Sequence, residues 1–201
     1  MNENNTLAPA ANNTVSTVAS VGGKSELLDA GQLLKDVLEV KSGDVVADLG
    51  AGGGLFLMQA ARMVGDLGQV YAVDVVKGVL SDIESKARLS GLHNIKTVWS
   101  NLEMVGAAKI KDESLDSAVL VNVLHQSKKH YEILAEASRL LKNGGKLLVI
   151  DWANNNLTFG PPKDQLVESS EIVNQCQQLD LNLIKLFKAG PYHFGLLFGK
   201  K

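Results

Sequence analysis

Short apolar runs alternate with helical patterns along most of this chain, and this alternation constrains the fold more than any other feature. Such runs are typical of strands that are buried on both faces of a sheet. A strand, a helix and a second strand in this order predict parallel strands. We therefore expect an α/β fold in which the strand-helix unit is repeated at least five times, with strands at residues 45–47, 70–73, 95–99, 118–121 and 147–150.

The carboxyl-terminal part of the chain departs from this alternation. Two extended runs, residues 182–187 and 192–198, are separated only by the segment 188–191. So short a connection permits a hairpin but not a crossover helix. The last two strands are therefore expected to run antiparallel to each other.

Cap residues and apolar spacing predict the helices. Leu80, Ile83 and Ala87 repeat at helical spacing, and Gly91 is placed to cap the carboxyl end of that helix. The single cysteine, Cys176, is expected in the core because apolar residues share its helix face. For the helix before the fifth strand we expect a start capped by Ser127, an end at Gly144-Gly145, and one face lined by Tyr131, Leu134, Ser138 and Leu141.

A glycine-rich turn follows the first apolar run, in the sequence VVADLGAGGG over residues 45–54. Glycine permits positive φ and lets a ligand approach the main chain closely. The turn is expected to open a helix whose free N–H groups face the crevice above the sheet. It is therefore interpreted as a cradle for a ligand.

The spacing of these glycines decides between three nucleotide-binding patterns. The dinucleotide pattern G-x-G-x-x-G fails in both frames, because Leu55 and Leu57 stand where its last glycine belongs. The P-loop pattern fails at Gly23-Lys24-Ser25, because Val18 replaces its first glycine. The pattern that fits is acid-x-Gly-x-Gly-x-Gly, which begins at Asp48.

This spacing resembles that of the class I S-adenosylmethionine-dependent methyltransferases, over roughly residues 25–199. In that family an acid at the end of the second strand binds the ribose hydroxyls, and Asp74 in VYAVD stands there. After the third strand the family has an acid near the adenine amino group. Here Asn101 takes that place with an amide oxygen that can accept a hydrogen bond, and Leu102 offers a backbone N–H.

The resemblance implies a fold, a cofactor and a set of contacts. The fold is a Rossmann-like three-layer sandwich whose mostly parallel, seven-stranded sheet has the order 3-2-1-4-5-7-6 and an antiparallel last strand. The cofactor is S-adenosylmethionine, a sulfonium without phosphate, which suits carboxylates better than a lysine clamp. The implied cofactor contacts are Asp48, Gly50, Ala51, Gly52, Gly54, Asp74, Val75, Asn101, Leu102 and Asn122.

Composition bounds the remaining expectations. A chain of 201 residues suits one domain, which we place at residues 23–201, after a flexible segment or lid at residues 1–22. The formal net charge of −2 argues against a nucleic-acid partner. The single cysteine, the polar start and the lack of a membrane-spanning apolar run favour a cytoplasmic protein. No metal site is expected.

The acceptor is expected to be a small molecule. The N/D-P-P-Y/F/W motif of enzymes that methylate base amines is absent from the segment after the fourth strand, residues 120–125. Arsenite methyltransferases use several cysteines, and this chain has one. The remaining resemblance is to the ubiquinone/menaquinone biosynthesis methyltransferases and their small-molecule relatives. Three alternatives stay open: an NAD-dependent oxidoreductase, a cofactor-binding scaffold without turnover, and a methyltransferase for a protein or RNA acceptor.

Methyl transfer is an in-line displacement in which alignment supplies much of the rate, so a general base is needed only if the acceptor must lose a proton. The candidates for that base are His125, Asp151 and His193. Each has a structural alternative: His125 as a helix cap or a lining of the cofactor site, Asp151 as a cap of its loop, and His193 as packing at the hairpin tip.

Overall fold

The computed structural model describes residues 28–153 and 160–201, and within them the chain forms one seven-stranded sheet. The predicted lid, residues 1–22, lies outside the described residues. The order of the strands is β3-β2-β1-β4-β5-β7-β6. Their bounds are β1 Val45–Leu49, β2 Gln69–Asp74, β3 Ile95–Trp99, β4 Leu115–Val121, β5 Leu141–Trp152, β6 Leu181–Ala189 and β7 His193–Lys200.

The pairing of the strands confirms the expected fold class. β1 pairs in parallel with both β2 and β4, and the parallel pairing continues to β3 on one side and β5 on the other. β7 runs antiparallel between β5 and β6. The carboxyl ends of β1, β2, β4 and β5 therefore meet at one edge, where β7 begins.

Helices cover both faces of the sheet and form two core layers. Helix α1 and the π-helical turn after it pack with α2 and α3 on one face, against residues such as Val46 and Ile150. Helices α4 and α5 pack on the other face, against residues such as Ala47 and Val149. The helices are α1 Ala30–Gln32, the π turn Leu33–Leu38, α2 Leu55–Val64, α3 Lys77–Leu89, α4 His130–Leu140 and α5 Ser169–Gln177, with short 3₁₀ turns at Leu124–Gln126 and Lys163–Gln165.

Two of the helix predictions are confirmed. Gly91 adopts φ +66° after α3, and the N–H of Leu92 bonds to the carbonyl of Ala87 at 2.9 Å, which is a Schellman end. Cys176 is fully buried in the core beside Ile172, and burial raises the pKa of its thiol to about 12. The thiol is therefore unreactive at neutral pH.

The predicted start and end of α4 were both wrong, and so was the assignment of Tyr131 to its packed face. The helix begins at His130 because the 3₁₀ turn and an extended Ser127 come first, although the Ser127 hydroxyl does accept the N–H of Lys129. It ends at Leu140, and Leu141 is already extended. The predicted end, Gly144-Gly145, lies instead within β5 where the pairing register with β4 shifts. Tyr131 is exposed rather than on the packed face.

A partly buried ion pair ties the loop between β3 and β4 to α4. The carboxylate of Glu136 accepts N–H groups from Gly106 and Ala108 and pairs with Arg139 at 2.7 Å. Arg139 also binds the carbonyl of Ala108 and the carboxylate of Asp112. The loop that follows β3 therefore has a fixed course beside the crevice.

Within the described part of the chain, no helix is long and apolar enough to cross a bilayer.

Candidate cofactor and acceptor site

The turn between β1 and α2 requires glycine at several positions. Gly50, Gly52 and Gly54 adopt φ values of +86°, +47° and +80°, which side chains rarely tolerate. A Cβ at Gly50 would lie 2.5 Å from a methyl group of Val123, in the segment after β4. The turn and that segment are thus in direct contact, and both reach the crevice.

Three backbone amides of the turn are held by hydrogen bonds within the protein. Gly50 and Ala51 donate to the carbonyl of Val73 at 2.8 and 3.0 Å, and Gly54 donates to the carbonyl of Ala51. The sequence predicts free N–H groups at the start of the following helix, and one of them, that of Leu57, is taken up by Asp48 at 3.0 Å. The turn is held against β2, and its lack of side chains remains the feature that admits a ligand.

Asp74 lies at the carboxyl end of β2 and faces the glycine turn. Its Oδ2 accepts the N–H of Gly52 at 3.0 Å, and its Oδ1 accepts the N–H of Val76 at 2.9 Å. A carboxylate has about four acceptor positions. The two backbone bonds fix its orientation, and each oxygen keeps a further lone pair for a ligand hydroxyl.

A cavity of about 390 Å³ opens beside Asp74. It contains Val75, Asn101 and Leu102, which the sequence predicts as cofactor contacts. The amide oxygen of Asn101 accepts the N–H of Glu103 at 2.9 Å, which fixes the side chain and leaves one lone pair. The cavity is lined by Gly50, Gly52, Asp74, Val75, Val76, Val79, Ser100, Asn101, Leu102, Glu103, Val123, Gln126, Ser127 and Ile133.

Several of these lining residues were not predicted from the sequence. Ser100 is buried, lines the cavity, and has a hydroxyl with no hydrogen-bond partner among the described residues. It directly follows β3, so the rule that ligands lie beyond the carboxyl ends of parallel strands gave a signal for it. The sequence did not predict Ser127 and Glu103 as lining residues. The Ser127 hydroxyl donates to Glu103 Oε1 at 2.7 Å, and this contact joins two loops that are distant in the sequence.

A second cavity, of about 200 Å³, also adjoins the glycine turn, and Gly50 and Gly52 line both cavities. Asp48 and Asn122 line it, and both were predicted as cofactor contacts. The amide oxygen of Asn122 is buried without a partner within the described ranges. Its backbone adopts φ +57°, held by a bond of 2.9 Å from its N–H to the carbonyl of Ile150.

Asp48 is a buried carboxylate that accepts the N–H of Leu57 at 3.0 Å. Burial raises the pKa of Asp48 to about 7, against the effect of the Leu57 bond, and the nearby charge of Asp74 raises it further. A cation in the second cavity would favour the ionised form. Asp48 is therefore suited to a ligand that carries a positive charge.

The charges of the two cavities favour a cationic ligand over a phosphate. Asp48, Asp74 and Glu103 line them, and no lysine or arginine stands among the described lining residues. The unpaired oxygens of Ser100 and Asn122 add two acceptors that a ligand can satisfy. Cavity walls with several carboxylates and no cationic side chain among the described lining residues fit a nucleoside with an ammonium and a sulfonium group.

The three predicted base candidates gather at the edge where β4 and β5 end. His125 lies in the 3₁₀ turn after β4, and its Nδ1 is 2.8 Å from Oδ1 of Asp151 at the end of β5. The backbone N–H of His125 also donates to Asp151 Oδ2 at 3.3 Å. His193 begins β7, paired with Trp152.

His193 is packed more tightly than His125. The ring of His193 lies 4.4 Å from that of Trp152, with an interplanar angle of 40°. Gly160 approaches the same indole so closely that a Cβ there would lie 3.1 Å from it. Both ring nitrogens of His193 are buried without a partner among the described residues. Burial lowers the pKa of His193; the Asp151 charge opposes this shift and His125 adds to it.

The fold and these cavities define an α/β protein with a crevice beyond the carboxyl ends of its parallel strands, and comparison with known proteins gives its family. A family model described as "Methyltransferase domain" matches residues 40–189. A solved structure, a SAM-dependent methyltransferase from Aquifex aeolicus, superposes with a TM-score of 0.79 at 26% identity and covers 87% of this chain and 91% of that one. The chain belongs to the methyltransferase domain family, in the class I S-adenosylmethionine-dependent group.

Two curated proteins illustrate the range of its relatives. The ubiquinone/menaquinone biosynthesis C-methyltransferase UbiE of Marinomonas sp. (strain MWYL1) is 29% identical over 137 residues, covering 68% of this chain and 50% of that protein. The arsenite methyltransferase of Homo sapiens is 30% identical over 115 residues, covering 53% of this chain and 30% of that protein. The chain spans half or less of the length of these two relatives.

Proposed function

We propose that this protein transfers a methyl group from S-adenosylmethionine to a small-molecule acceptor. The observation that carries the proposal is the position of Asp74, whose carboxylate is fixed by Gly52 and Val76 at the mouth of the larger cavity. An acid fixed beside a glycine turn suits the two hydroxyls of a ribose, since both of its oxygens keep an acceptor position.

The cofactor would be held across both cavities. Asn101, Leu102 and the unpaired hydroxyl of Ser100 would hold the adenine end in the larger cavity. Asp48 and the unpaired amide oxygen of Asn122 would hold the ammonium end in the smaller one. When bound, the cofactor supplies an electrophilic methyl group, and the protein's part is to align an acceptor with it.

The names of the relatives support a small-molecule acceptor. They include the UbiE enzymes and an aklanonic acid methyltransferase, DauC, of Streptomyces sp. (strain C5), which is 34% identical over 76 residues. Such acceptors are recognised by loops, which vary most within a fold. The identity of the acceptor is therefore a separate question from the cofactor.

A titration of S-adenosylhomocysteine tests the cofactor assignment. Asp74→Asn should weaken binding on the order of 10- to 100-fold, since it replaces a charged hydrogen-bond acceptor. Asp82→Asn is the matched control, because Asp82 is an exposed acid on α3 and should leave binding unchanged. Equal affinities of the two variants would contradict the proposal, as would stabilisation by NAD in place of S-adenosylhomocysteine.

A second measurement separates turnover from binding alone. Incubation of the protein with S-adenosylmethionine and a panel of small hydroxyl, amine and thiol acceptors should release S-adenosylhomocysteine with at least one of them. Binding without release across the panel would favour a cofactor-binding scaffold. Release only on addition of protein or RNA would favour a macromolecular acceptor.

A further inference from the structure

The contact between His125 and Asp151 fixes where the imidazole carries its proton. Nδ1 lies 2.8 Å from Asp151 Oδ1, and a carboxylate accepts hydrogen bonds without donating any. The proton of a neutral imidazole therefore resides on Nδ1, and Nε2 keeps its lone pair. Asp151 is held in turn by the N–H of Trp152 at 2.8 Å. A carboxylate that orients a histidine in this way is the arrangement of a general base.

Residues next to His125 in the chain line the cofactor cavities. Asn122 precedes it and lines the smaller cavity, whereas Val123 and Gln126 on either side of it line the larger one. The side chain of His125 is 12% exposed. In the described part of the chain, Nε2 has no hydrogen-bond partner. The lone pair is therefore not taken up by any other described group.

His193 is less accessible than His125. It is 2% exposed, and both of its ring nitrogens are buried. Asp151, His125 and His193 are the titratable groups that influence one another at this edge. Of the two histidines, His125 is the more exposed, and Asp151 orients it.

We propose that His125 is the general base for a hydroxyl acceptor of phenolic or enolic type, and that Asp151 is the residue that positions it. This inference rests on the proposed function. The O–H bond of the acceptor breaks, its proton binds Nε2, and the freed electron pair on oxygen forms the bond to the methyl group while the C–S electron pair stays on sulfur. The imidazolium that results is stabilised by Asp151 and returns its proton to solvent.

The presence of a base distinguishes hydroxyls from other acceptors. A neutral amine attacks with its own lone pair and loses its proton afterwards, and a thiol is already partly ionised near neutral pH. A phenol is a weak nucleophile until its proton is removed, since its pKa is near 10, as for tyrosine. Among amine, thiol and hydroxyl acceptors, a dedicated His-Asp pair is therefore needed most by the hydroxyl.

A series of phenols of falling pKa, from 4-methoxyphenol and phenol to 4-cyanophenol and 4-nitrophenol, tests the base. Release of S-adenosylhomocysteine is measured for the wild type, His125→Gln and Asp151→Asn. Both variants should lose on the order of 10²-fold in kcat on phenol, but less than about tenfold on 4-nitrophenol, which ionises without help. His93→Gln is the matched control, because His93 is exposed in the turn before β3.

Two further measurements, the ¹⁵N spectrum of the His125 ring and the binding of S-adenosylhomocysteine, make each outcome decisive. The ¹⁵N spectrum of the His125 ring should show the proton on Nδ1 in the wild type and a mixture of tautomers in Asp151→Asn. An equal loss of kcat for every phenol, or a proton on Nε2 in the wild type, would overturn the base assignment. If S-adenosylhomocysteine binds but no phenol is methylated, the acceptor class is wrong and the cofactor proposal stands; if it does not bind, the proposed function itself fails.

Discussion

At the scale of single residues, Asp48 shows how the fold changes the chemistry of a side chain. The carboxylate lies under the glycine turn with one backbone bond, from Leu57, and no cationic partner in the described residues. Burial is the main cause that raises its pKa to about 7. The free protein therefore holds Asp48 as a mixture of its two protonation states at neutral pH.

This raised pKa predicts a pH dependence of cofactor binding. If the ammonium group of the cofactor binds ionised Asp48, the affinity for S-adenosylhomocysteine should be about tenfold lower at pH 6 than at pH 8, because a group with a pKa of about 7 is mostly protonated at pH 6. Titrations at several pH values test this. In Asp48→Asn the dependence should disappear, and a slope that stays the same would contradict the role of Asp48.

The same shift fixes the sign of its effect on stability. A carboxyl group whose pKa is raised by folding stabilises the folded state fully below its unfolded pKa, and this contribution is lost as the pH rises to about 7. Asp48→Asn should therefore raise the free energy of unfolding of the free protein less in acid than at pH 8. Denaturant unfolding of both proteins at the two pH values measures this difference.

The positions of single residues were predicted where a short motif fixes them, and their roles as cofactor contacts stay predictions. Asp48 is the penultimate residue of β1 and Asp74 is the last residue of β2, and both strands are buried and parallel. Ser100 and the φ of +57° at Asn122 were not predicted. A buried hydroxyl without a partner and a strained backbone arise from tertiary packing, which spacing does not encode.

At the scale of the elements, the turn between β1 and α2 is the part of the site most sensitive to added volume. Gly50→Ala combines positive φ with a clash against Val123, and we expect it to lower the free energy of unfolding by about 2–4 kcal/mol. Gly53→Ala should cost under about 1 kcal/mol, because Gly53 has no positive φ and nothing within 4 Å of its Cβ position. Denaturant unfolding of both variants measures the difference.

A double substitution separates the two causes at Gly50. Val123→Ala removes the methyl group that the new Cβ would meet, so Gly50→Ala should cost less in that background than in the wild type. Purely additive effects would show that the backbone conformation, and not the contact with Val123, requires glycine there.

The elements also show where patterns in the sequence stop being informative. Gly91 ends α3 as predicted because a Schellman end depends on local residues. Gly144-Gly145 was assigned to the end of α4, yet lies in β5, because β4 pairs with the chain from Leu141 onward. Glycine marks a backbone irregularity in both cases, but only the tertiary pairing decides which kind.

At the scale of the whole molecule, the order of the seven strands was implied by the resemblance and is found in the structure. The alternation of strands and helices predicted the parallel sheet, and the short hairpin connection predicted the antiparallel pair. The contact between His125 and Asp151 could not be predicted from the sequence pattern, because these residues are 26 positions apart. Their meeting depends on the adjacency of β4 and β5, whose carboxyl ends share one edge.

The central claim is that the nucleoside of S-adenosylmethionine lies across the turn between β1 and α2, with its ribose on Asp74. A crystal structure of the protein with S-adenosylhomocysteine tests it most directly. We expect both ribose hydroxyls within hydrogen-bonding distance of the Asp74 carboxylate, and the amino group of the ligand near Asp48 and Asn122. A nucleoside bound elsewhere, or a ribose with no contact to Asp74, would contradict the claim.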